Sequence, residues 1–453
     1  MKRKLFGTDG IRGKANLYPI NSEIALKLGQ AIGLYFKQRH PNPKILIGKD
    51  TRRSGYMLEQ ALASGICSVG VHVNFLGPLP TPGIAYLTRG LRACAGIVIS
   101  ASHNPYDDNG IKIFAHNGKK LDDQAELALE KMIFSDNLNE NPPVGNEVGT
   151  AKRIDDAIGQ YAVFLKERFP REYTLDGLRI VLDCANGAAY KVAPKVFEEL
   201  GADVMLIGAE PNGTNINEGC GALYPNNLAE KVKRYKANIG IALDGDADRI
   251  IVCDEKGTIL DGDEYLAILA MHMIQNKSLV KNTVVSTIMS NIGLEQSLKK
   301  FGGKLVRTQV GDRYVMEEMN KNSYNLGGEQ SGHIILSDHT TTGDGILAGL
   351  RLLAVMRSSN MKLSELKTII TKFPQVTKSV QVKKKVPLNE LTDLQTEIKK
   401  IEDELGTDGR VLIRYSGTEN KARIMVEGKK VEQVNTYVDH LTKVTLSSIE
   451  AAL

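Results

Sequence analysis

Apolar positions fall in short unbroken runs, each followed by a polar, glycine-containing turn and then by residues at helical spacing. Residues 44–49, Lys-Ile-Leu-Ile-Gly-Lys, read as a buried strand. The turn Asp50-Thr51-Arg52-Arg53-Ser54-Gly55 follows, then a helical pattern over 56–69 and a strand over 71–76. Pro78-Leu79-Pro80-Thr81-Pro82 opens the next helix. The theme returns as strand 179–182, turn Asp183-Cys184-Ala185-Asn186-Gly187, a helix ending at Leu200 and strand 203–207. It returns again as strand 282–288, turn Met289-Ser290-Asn291, helix 292–301 and strand 304–308. Strands alternating with helices predict parallel or mixed sheets. The recurrence at about a hundred residues predicts three similar mixed α/β domains.

The last part breaks the pattern. Lys372-Phe373-Pro374 stops a helix over 363–370 and marks a hinge. Beyond it the periodicity predicts strand 377–386, amphipathic helix 388–404, strands 410–415 and 422–427, and helix 430–447. That is a smaller α+β domain. Polar stretch 137–144, ahead of a helix over 154–168, and the hairpin turn Asp254-Glu255-Lys256-Gly257 mark the earlier boundaries. The expected domains are 1–150, 151–254, 255–371 and 372–453, all of class α/β except the α+β last one.

A chain of 453 residues is too long for one ordinary core, which agrees with this division. A net charge of +5 suits an anionic small substrate and gives no reason to expect nucleic acid. The one strong basic run, Lys383-Lys384-Lys385, alternates into residues 380–386 and reads as a solvated edge strand. Five dispersed cysteines in apolar settings read as reduced thiols of a cytoplasmic protein. No secretory signal and no membrane partner are expected, because the basic start lacks an apolar continuation and no run is long enough to span a bilayer.

Two segments carry most of the chemistry. Ala101-Ser102-His103-Asn104-Pro105 follows the apolar run 95–99, within a turn-rich loop that ends at a second strand over 111–114. This sets a hydroxyl and an imidazole at a strand end, where α/β proteins build sites. Asp244-Gly245-Asp246-Ala247-Asp248-Arg249 follows the apolar run 239–243. Alternating carboxylates can turn oxygens toward one hard divalent cation such as Mg2+. An EF-hand is excluded: counted from Asp244, its required glycine position is Arg249, and a strand-like run 250–252 follows. A hydroxyl nucleophile beside a metal cage points to phosphoryl transfer. Taken alone, the first segment also reads as a solvated turn and the second as an exposed acidic one.

Three further loops are chemically loaded. Arg414-Tyr415-Ser416-Gly417-Thr418-Glu419-Asn420, with Arg423, forms either a phosphate cradle or an ordinary polar hairpin. Gly327-Gly328-Glu329-Gln330-Ser331-Gly332-His333 offers Glu329 and Ser331 to sugar hydroxyls, while His333 reads equally as a structural histidine. Phe6-Gly7-Thr8-Asp9-Gly10-Ile11-Arg12-Gly13 is a glycine-rich turn with Arg12 able to clamp a phosphate.

These five segments, in this order, resemble the α-D-phosphohexomutase family over nearly the whole chain. Residues 307–315 and Glu329-Gln330-Ser331-Gly332-His333 are most similar to its glucosamine-phosphate branch; the glucose/mannose branch typically carries Met where Gln330 stands. Ala247 replaces a usual glycine, harmless if its backbone angles are ordinary, and Asn420-Lys421 replaces a usual Pro-Leu.

The resemblance implies a four-domain, heart-shaped isomerase with its site in the central cleft. It implies that Ser102 carries a phosphoryl group in domain 1–150, and that one phosphate oxygen with Asp244, Asp246 and Asp248 of domain 151–254 holds one Mg2+ per subunit. A glucosamine or glucose 1,6-bisphosphate would serve as intermediate and activator. Arg12, Lys112 and Arg249 would balance phosphoryl charge; His103 and Lys112 are the first candidates to move protons near Ser102, and His333 is another. Glu329 and Ser331 of domain 255–371 would hold the sugar, His333 lying beside them. Arg414, Ser416, Gly417, Thr418 and Arg423 of domain 372–453 would hold the phosphate that is not reacting. The expected substrate is a phosphosugar, with a homodimer as the possible assembly. Competing readings are the same chemistry on glucose or mannose phosphate, a metal-dependent phosphatase, and a phosphosugar-binding protein without turnover.

Overall fold

The computed structural model describes residues 4–135, 138, 140–416 and 420–453. The predicted boundary stretch 137–144 therefore lies partly outside the described residues.

Three sheets repeat one strand plan. In the first, strand Lys44–Lys49 lies parallel to His72–Pro78 on one side and to Ala95–Ile99 on the other. Asp108–Ala115 then runs antiparallel to Ala95–Ile99. Ile11–Lys14 and Ala151–Arg153 extend the two edges. The second sheet follows suit: Arg179–Asp183 pairs parallel with Asp203–Ile207 and Ile239–Leu243, and Ile250–Asp254 returns antiparallel. The third sheet has the order Lys304–Thr308, Thr283–Thr287, Leu326–Gly328, Ile334–Leu336, the middle pair parallel and the last pair antiparallel. In each case the spatial order is second, first, third, fourth. The expectation of three similar mixed α/β domains followed by a smaller α+β part is met.

The central strands are buried on both faces, which is why they read as continuous apolar runs rather than alternations. In the first sheet Ile45, Ile47, Ile97, Ile99, Ile111 and Ile113 pack with helices Ser22–Lys37 and Ser54–Ser68. The opposite face meets helix Thr81–Gly90. Full burial of such side chains is worth about 1.5–3 kcal/mol each, the main term holding these layers together.

By its contacts the chain divides into two compact units, Met1–Ile288 with Val306–Thr368, and Met289–Leu305 with Ile369–Leu453. In the second unit strands Gln375–Gln381 and Arg410–Tyr415 flank Lys421–Glu427, all antiparallel. Helices Thr392–Leu405 and Val431–Ala451 cover the sheet, with Leu394, Ile401, Val434, Val438 and Leu441 in the core.

Several expectations are corrected here. The strand expected over 377–386 is Gln375–Gln381, an edge strand; Lys383 and Lys384 lie in a bend beyond its end. The alternation continued past the last residue able to find a ladder partner. The helix expected over 363–370 is a single α turn, Leu363–Leu366, ending in 3-10 geometry at Lys367–Ile369. The helix expected over 154–168 is Ala157–Lys166. All five cysteines are free, and all but Cys67 are buried. No helix among the described residues is long and apolar enough to cross a membrane.

Candidate active site

The repeated strand plan explains where the chemistry sits. Three of the loaded loops of the first unit join the third strand of a sheet to the antiparallel fourth, while the turn at 6–13 leads into the edge strand Ile11–Lys14. Ser102 follows Ala95–Ile99, Asp244 follows Ile239–Leu243, and Glu329 follows Leu326–Gly328. Three copies of one connection, each starting at a strand's carboxyl end, deliver their side chains to one place.

Ser102, only 1% exposed, donates its hydroxyl to Asp244 Oδ2 at 2.6 Å. Its backbone is left-handed at φ +51°, an uncommon state for a residue with a Cβ. Donors around the loop hold it there. Its N–H donates to Ser100 Oγ at 3.0 Å, and its carbonyl accepts from Asn217 Nδ2 and Arg52 Nη2. The metal loop passes close above: a Cβ on Gly245 would stand 2.6 Å from the Ser102 carbonyl oxygen. Only glycine permits that approach.

Asp244, Asp246 and Asp248 are buried and present oxygens within 4.8 Å of one another. Asp246 Oδ2 accepts from Lys112 Nζ at 3.0 Å and from Thr81 Oγ1 at 2.7 Å. Asp246 Oδ1 and Asp248 Oδ1 are buried without a hydrogen-bond partner among the described residues. Two orphaned carboxylate oxygens in a converging set fit a hard divalent cation, which would satisfy both. The electrostatics agree. Burial first, then the charges of Asp248 and Asp246, push Asp244 up to about 8. Asp248 goes the other way, because Lys112, His333 and Arg249 together outweigh its burial. Three buried carboxylates this close cannot all stay ionised at ordinary cost unless positive charge compensates them.

The cations are set by strand register. Arg12 faces Gly110 across the antiparallel pair Ile11–Lys14 and Asp108–Ala115, so Arg12 and Lys112 project from one face. Lys112 is 2% exposed and touches Asp246, Asp9 at 3.3 Å and Asp248 at 3.6 Å. Burial works against its charge, but Asp246, Asp9 and Asp248 outweigh it and hold the ammonium protonated. Arg12 pairs with Asp9. Arg249 Nη1 donates to His103 Nδ1 at 2.6 Å, and that nitrogen stands 3.4 Å from Ser102 Oγ. Burial, then Arg249 and Arg12, push His103 down to about 4, so its ring is neutral near pH 7.

His333 is buried, with Nε2 accepting from the Gly343 N–H at 3.1 Å; the ring proton therefore sits on Nδ1, 3.6 Å from Asp248 Oδ1. Burial lowers its pKa, but Asp248, Asp312 and Glu329 together hold it above the usual value. Glu329 accepts from the Gly311 N–H at 3.1 Å, and Ser331 is exposed on its turn. The first unit thus brings together Ser102, His103, Arg12, Lys112, Asp244, Asp246, Asp248, Arg249, His333 and Glu329.

Arg414, Ser416 and Arg423 belong to the second unit. There Arg414 and Arg423 are cross-strand partners; burial first, then the neighbouring Arg423 charge, lower the Arg414 pKa from its ordinary value. Ser416 is buried, its N–H donating to the Lys421 carbonyl and its carbonyl accepting from Lys385 Nζ. Gly417 and Thr418 lie outside the described residues.

The expectation for Ala247 is corrected: its φ is +56°, in the left-handed region, at a cost of roughly 1–2 kcal/mol for a residue with a Cβ. A tight turn that aims Asp246 and Asp248 inward needs this conformation. Sequence reading missed Asp50, Arg52, Asn217 and Thr81. For Asp50 and Arg52 a signal existed, because they follow strand Lys44–Lys49 directly beside the Ser102 strand. Asn217 had none, since it reaches Ser102 from 115 residues away.

A nucleophile on a strand-end loop, held against a carboxylate cage inside a thrice-repeated α/β plan, defines a phosphoryl-transfer class of enzyme. Comparison with known proteins agrees. Models of phosphoglucomutase/phosphomannomutase match along the chain: alpha/beta/alpha domain I over residues 3–140, domain II over 160–257, domain III over 261–373 and the C-terminal domain over 354–444. The chain belongs to the phosphoglucomutase/phosphomannomutase family, as its motifs led one to expect. A phosphoglucosamine mutase of Pelobacter propionicus is 56% identical over 443 residues, 97% of each chain. Among solved structures, a phosphoglucomutase/phosphomannomutase family protein of Burkholderia thailandensis shares the fold at TM-score 0.81 and 24% identity, covering 98% of this chain and 97% of that one. An N-acetylphosphoglucosamine mutase of Aspergillus fumigatus, solved with GlcNAc-6P and magnesium, matches at TM-score 0.69 and 16% identity, covering 99% and 96%.

Proposed function

We propose that this chain catalyses the phosphoglucosamine mutase reaction, interconverting glucosamine 6-phosphate and glucosamine 1-phosphate. Ser102 is the phosphoryl carrier and a 1,6-bisphosphate the intermediate, and the product feeds UDP-N-acetylglucosamine and cell-wall precursor synthesis. The observation that carries this reading is the Ser102 hydroxyl on Asp244 at 2.6 Å, inside a three-carboxylate cage. A pure phosphosugar binder has no use for a nucleophile there. The amino-sugar assignment rests on the relatives at above 50% identity and on Gln330.

Asp244, Asp246 and Asp248 would hold Mg2+, which when bound neutralises charge on the transferring phosphoryl group. In the forward step the P–O bond to Ser102 Oγ breaks as the bond to the sugar O1 forms; the O1 proton leaves and Ser102 Oγ regains one. His103, its Nδ1 held by Arg249 and 3.4 Å from Ser102 Oγ, is assigned to proton movement at that oxygen, whereas protonated Lys112 supplies charge or a proton and cannot serve as base. Arg249 and Arg12 hold further positive charge at the site without titrating. Glu329 is assigned to the sugar hydroxyls, with Ser331 on the same turn. In the second unit the Arg414–Arg423 pair and Ser416 are assigned to a phosphate oxyanion, on the strength of two adjacent guanidiniums.

Coupled assays on glucosamine, N-acetylglucosamine, glucose and mannose phosphates test the substrate. Glucosamine phosphate should give the highest kcat/KM. A higher value for glucose or mannose phosphate would overturn the amino-sugar assignment and keep the mechanism. Stoichiometric release of inorganic phosphate would replace the mutase by a phosphatase.

Asp246→Asn should shift the Mg2+ requirement to higher concentration while leaving the fold intact. The change keeps shape and removes one of three ligand charges, and charge count tunes affinity for hard cations. A Mg2+ titration of activity, paired with calorimetric binding, checks it; an unchanged curve would place the cation elsewhere.

A further inference from the structure

Two side chains outside the reaction scheme bridge the same pair of carbonyls in the Ser102 loop. Asn217 Nδ2 donates to the Ser102 carbonyl at 2.9 Å and to the Asn104 carbonyl at 3.0 Å. Arg52 Nη2 donates to the same two oxygens at 3.2 and 2.6 Å. Arg52 comes from the first sheet's own turn and is also tied to Asp50. Asn217 comes from the second repeat, on the long connection between strand Asp203–Ile207 and helix Pro225–Tyr235. It is buried and itself left-handed at φ +59°, a state asparagine tolerates. A Cβ on Gly245 would lie 2.9 Å from Asn217 Nδ2, so the metal loop packs directly on this amide.

We propose that Asn217 is a positioning residue for phosphoryl transfer, locking the left-handed Ser102 to the repeat that carries the metal carboxylates. The inference rests on Ser102 as the phosphoryl carrier. A residue with a Cβ persists at positive φ only where its surroundings over-determine it. Here the Asn217 amide ties the backbone of the serine loop to the second repeat, whereas Asp244 and Arg249 of that repeat reach only the Ser102 and His103 side chains. Release would let the Ser102 backbone relax, and displacement of a reacting oxygen by about 1 Å can cost on the order of 10²-fold in rate. Asn217 touches neither the hydroxyl of Ser102 nor a metal carboxylate in the contacts described, so its loss should fall on the chemical step.

Asn217→Gly keeps the left-handed backbone and removes only the amide. Asn217→Asp keeps the volume and sets acceptors against two carbonyl oxygens; the pair of variants keeps the test open should one fail to fold. Intact-mass spectrometry gives the phosphorylated fraction, and kinetics in both directions give kcat per phosphorylated enzyme, KM and the Mg2+ midpoint. The expected result is a kcat lowered about 10- to 100-fold in both directions, with KM and the Mg2+ midpoint within about twofold of wild type. A wild-type kcat accompanied only by a lower unfolding temperature would overturn the proposal, as would a raised KM at unchanged kcat. A wild type that never carries phosphate on Ser102 would overturn it together with the reading beneath it.

Discussion

Ser102→Ala is expected to abolish turnover and the phosphorylated form of the protein together. The Ser102 hydroxyl is aimed into the carboxylate cage from a strand-end loop, donating to Asp244 at 2.6 Å from a left-handed residue. Covalent catalysis divides a difficult transfer into two easier steps, and removing the acceptor removes both. Loss of a covalent nucleophile costs roughly 10⁴-fold or more in kcat where it has been isolated, and a similar collapse is expected here. Alanine is smaller and keeps the loop's backbone donors, so the fold should hold. Intact-mass spectrometry should find one phosphate on the wild type and none on the variant. Activity within about tenfold of wild type would refute the assignment.

Arg52→Leu should destabilise the first unit by about 3–5 kcal/mol. Arg52 and Asp50 form an ion pair with both side chains fully buried. Burial pushes the Asp50 carboxyl up, against the pull of Arg52 and the Ser100 hydroxyl. Without the guanidinium that carboxylate loses its counter-charge, and the Ser102 and Asn104 carbonyls each lose a donor. Adding Asp50→Leu to Arg52→Leu should restore part of the loss, because the penalty is mainly the orphaned charge. Urea unfolding followed by circular dichroism measures both variants. A loss under about 1 kcal/mol for Arg52→Leu would show that the loop is held by other contacts.

The repeats were legible because buried parallel strands leave continuous apolar runs, as in Ala95–Ile99 and Ile239–Leu243. The Asp244 cage was legible for a similar reason: its ligands are local, and their alternate spacing already implies convergence on one cation. Element ends were less so. The strand that begins at Gln375 and stops at Gln381 is bounded by where Lys421–Glu427 offers partners, not by its own alternation. Backbone conformation was also hidden, since nothing in an alanine or a serine announces that Ala247 and Ser102 stand at positive φ.

Strand and helix identity, the loaded loops and their donor types follow from neighbours along the chain, where period and spacing act over a few residues. Which groups meet follows from folding alone. Ser102 and Asp244 are 142 residues apart, and Asn217 joins them from a third segment. The pKa values are decided at the same level. Asp244 stands at about 8 because burial strips its water and two further carboxylates crowd it. Desolvation and charge coupling depend on everything within a few ångströms, whatever its place in the chain.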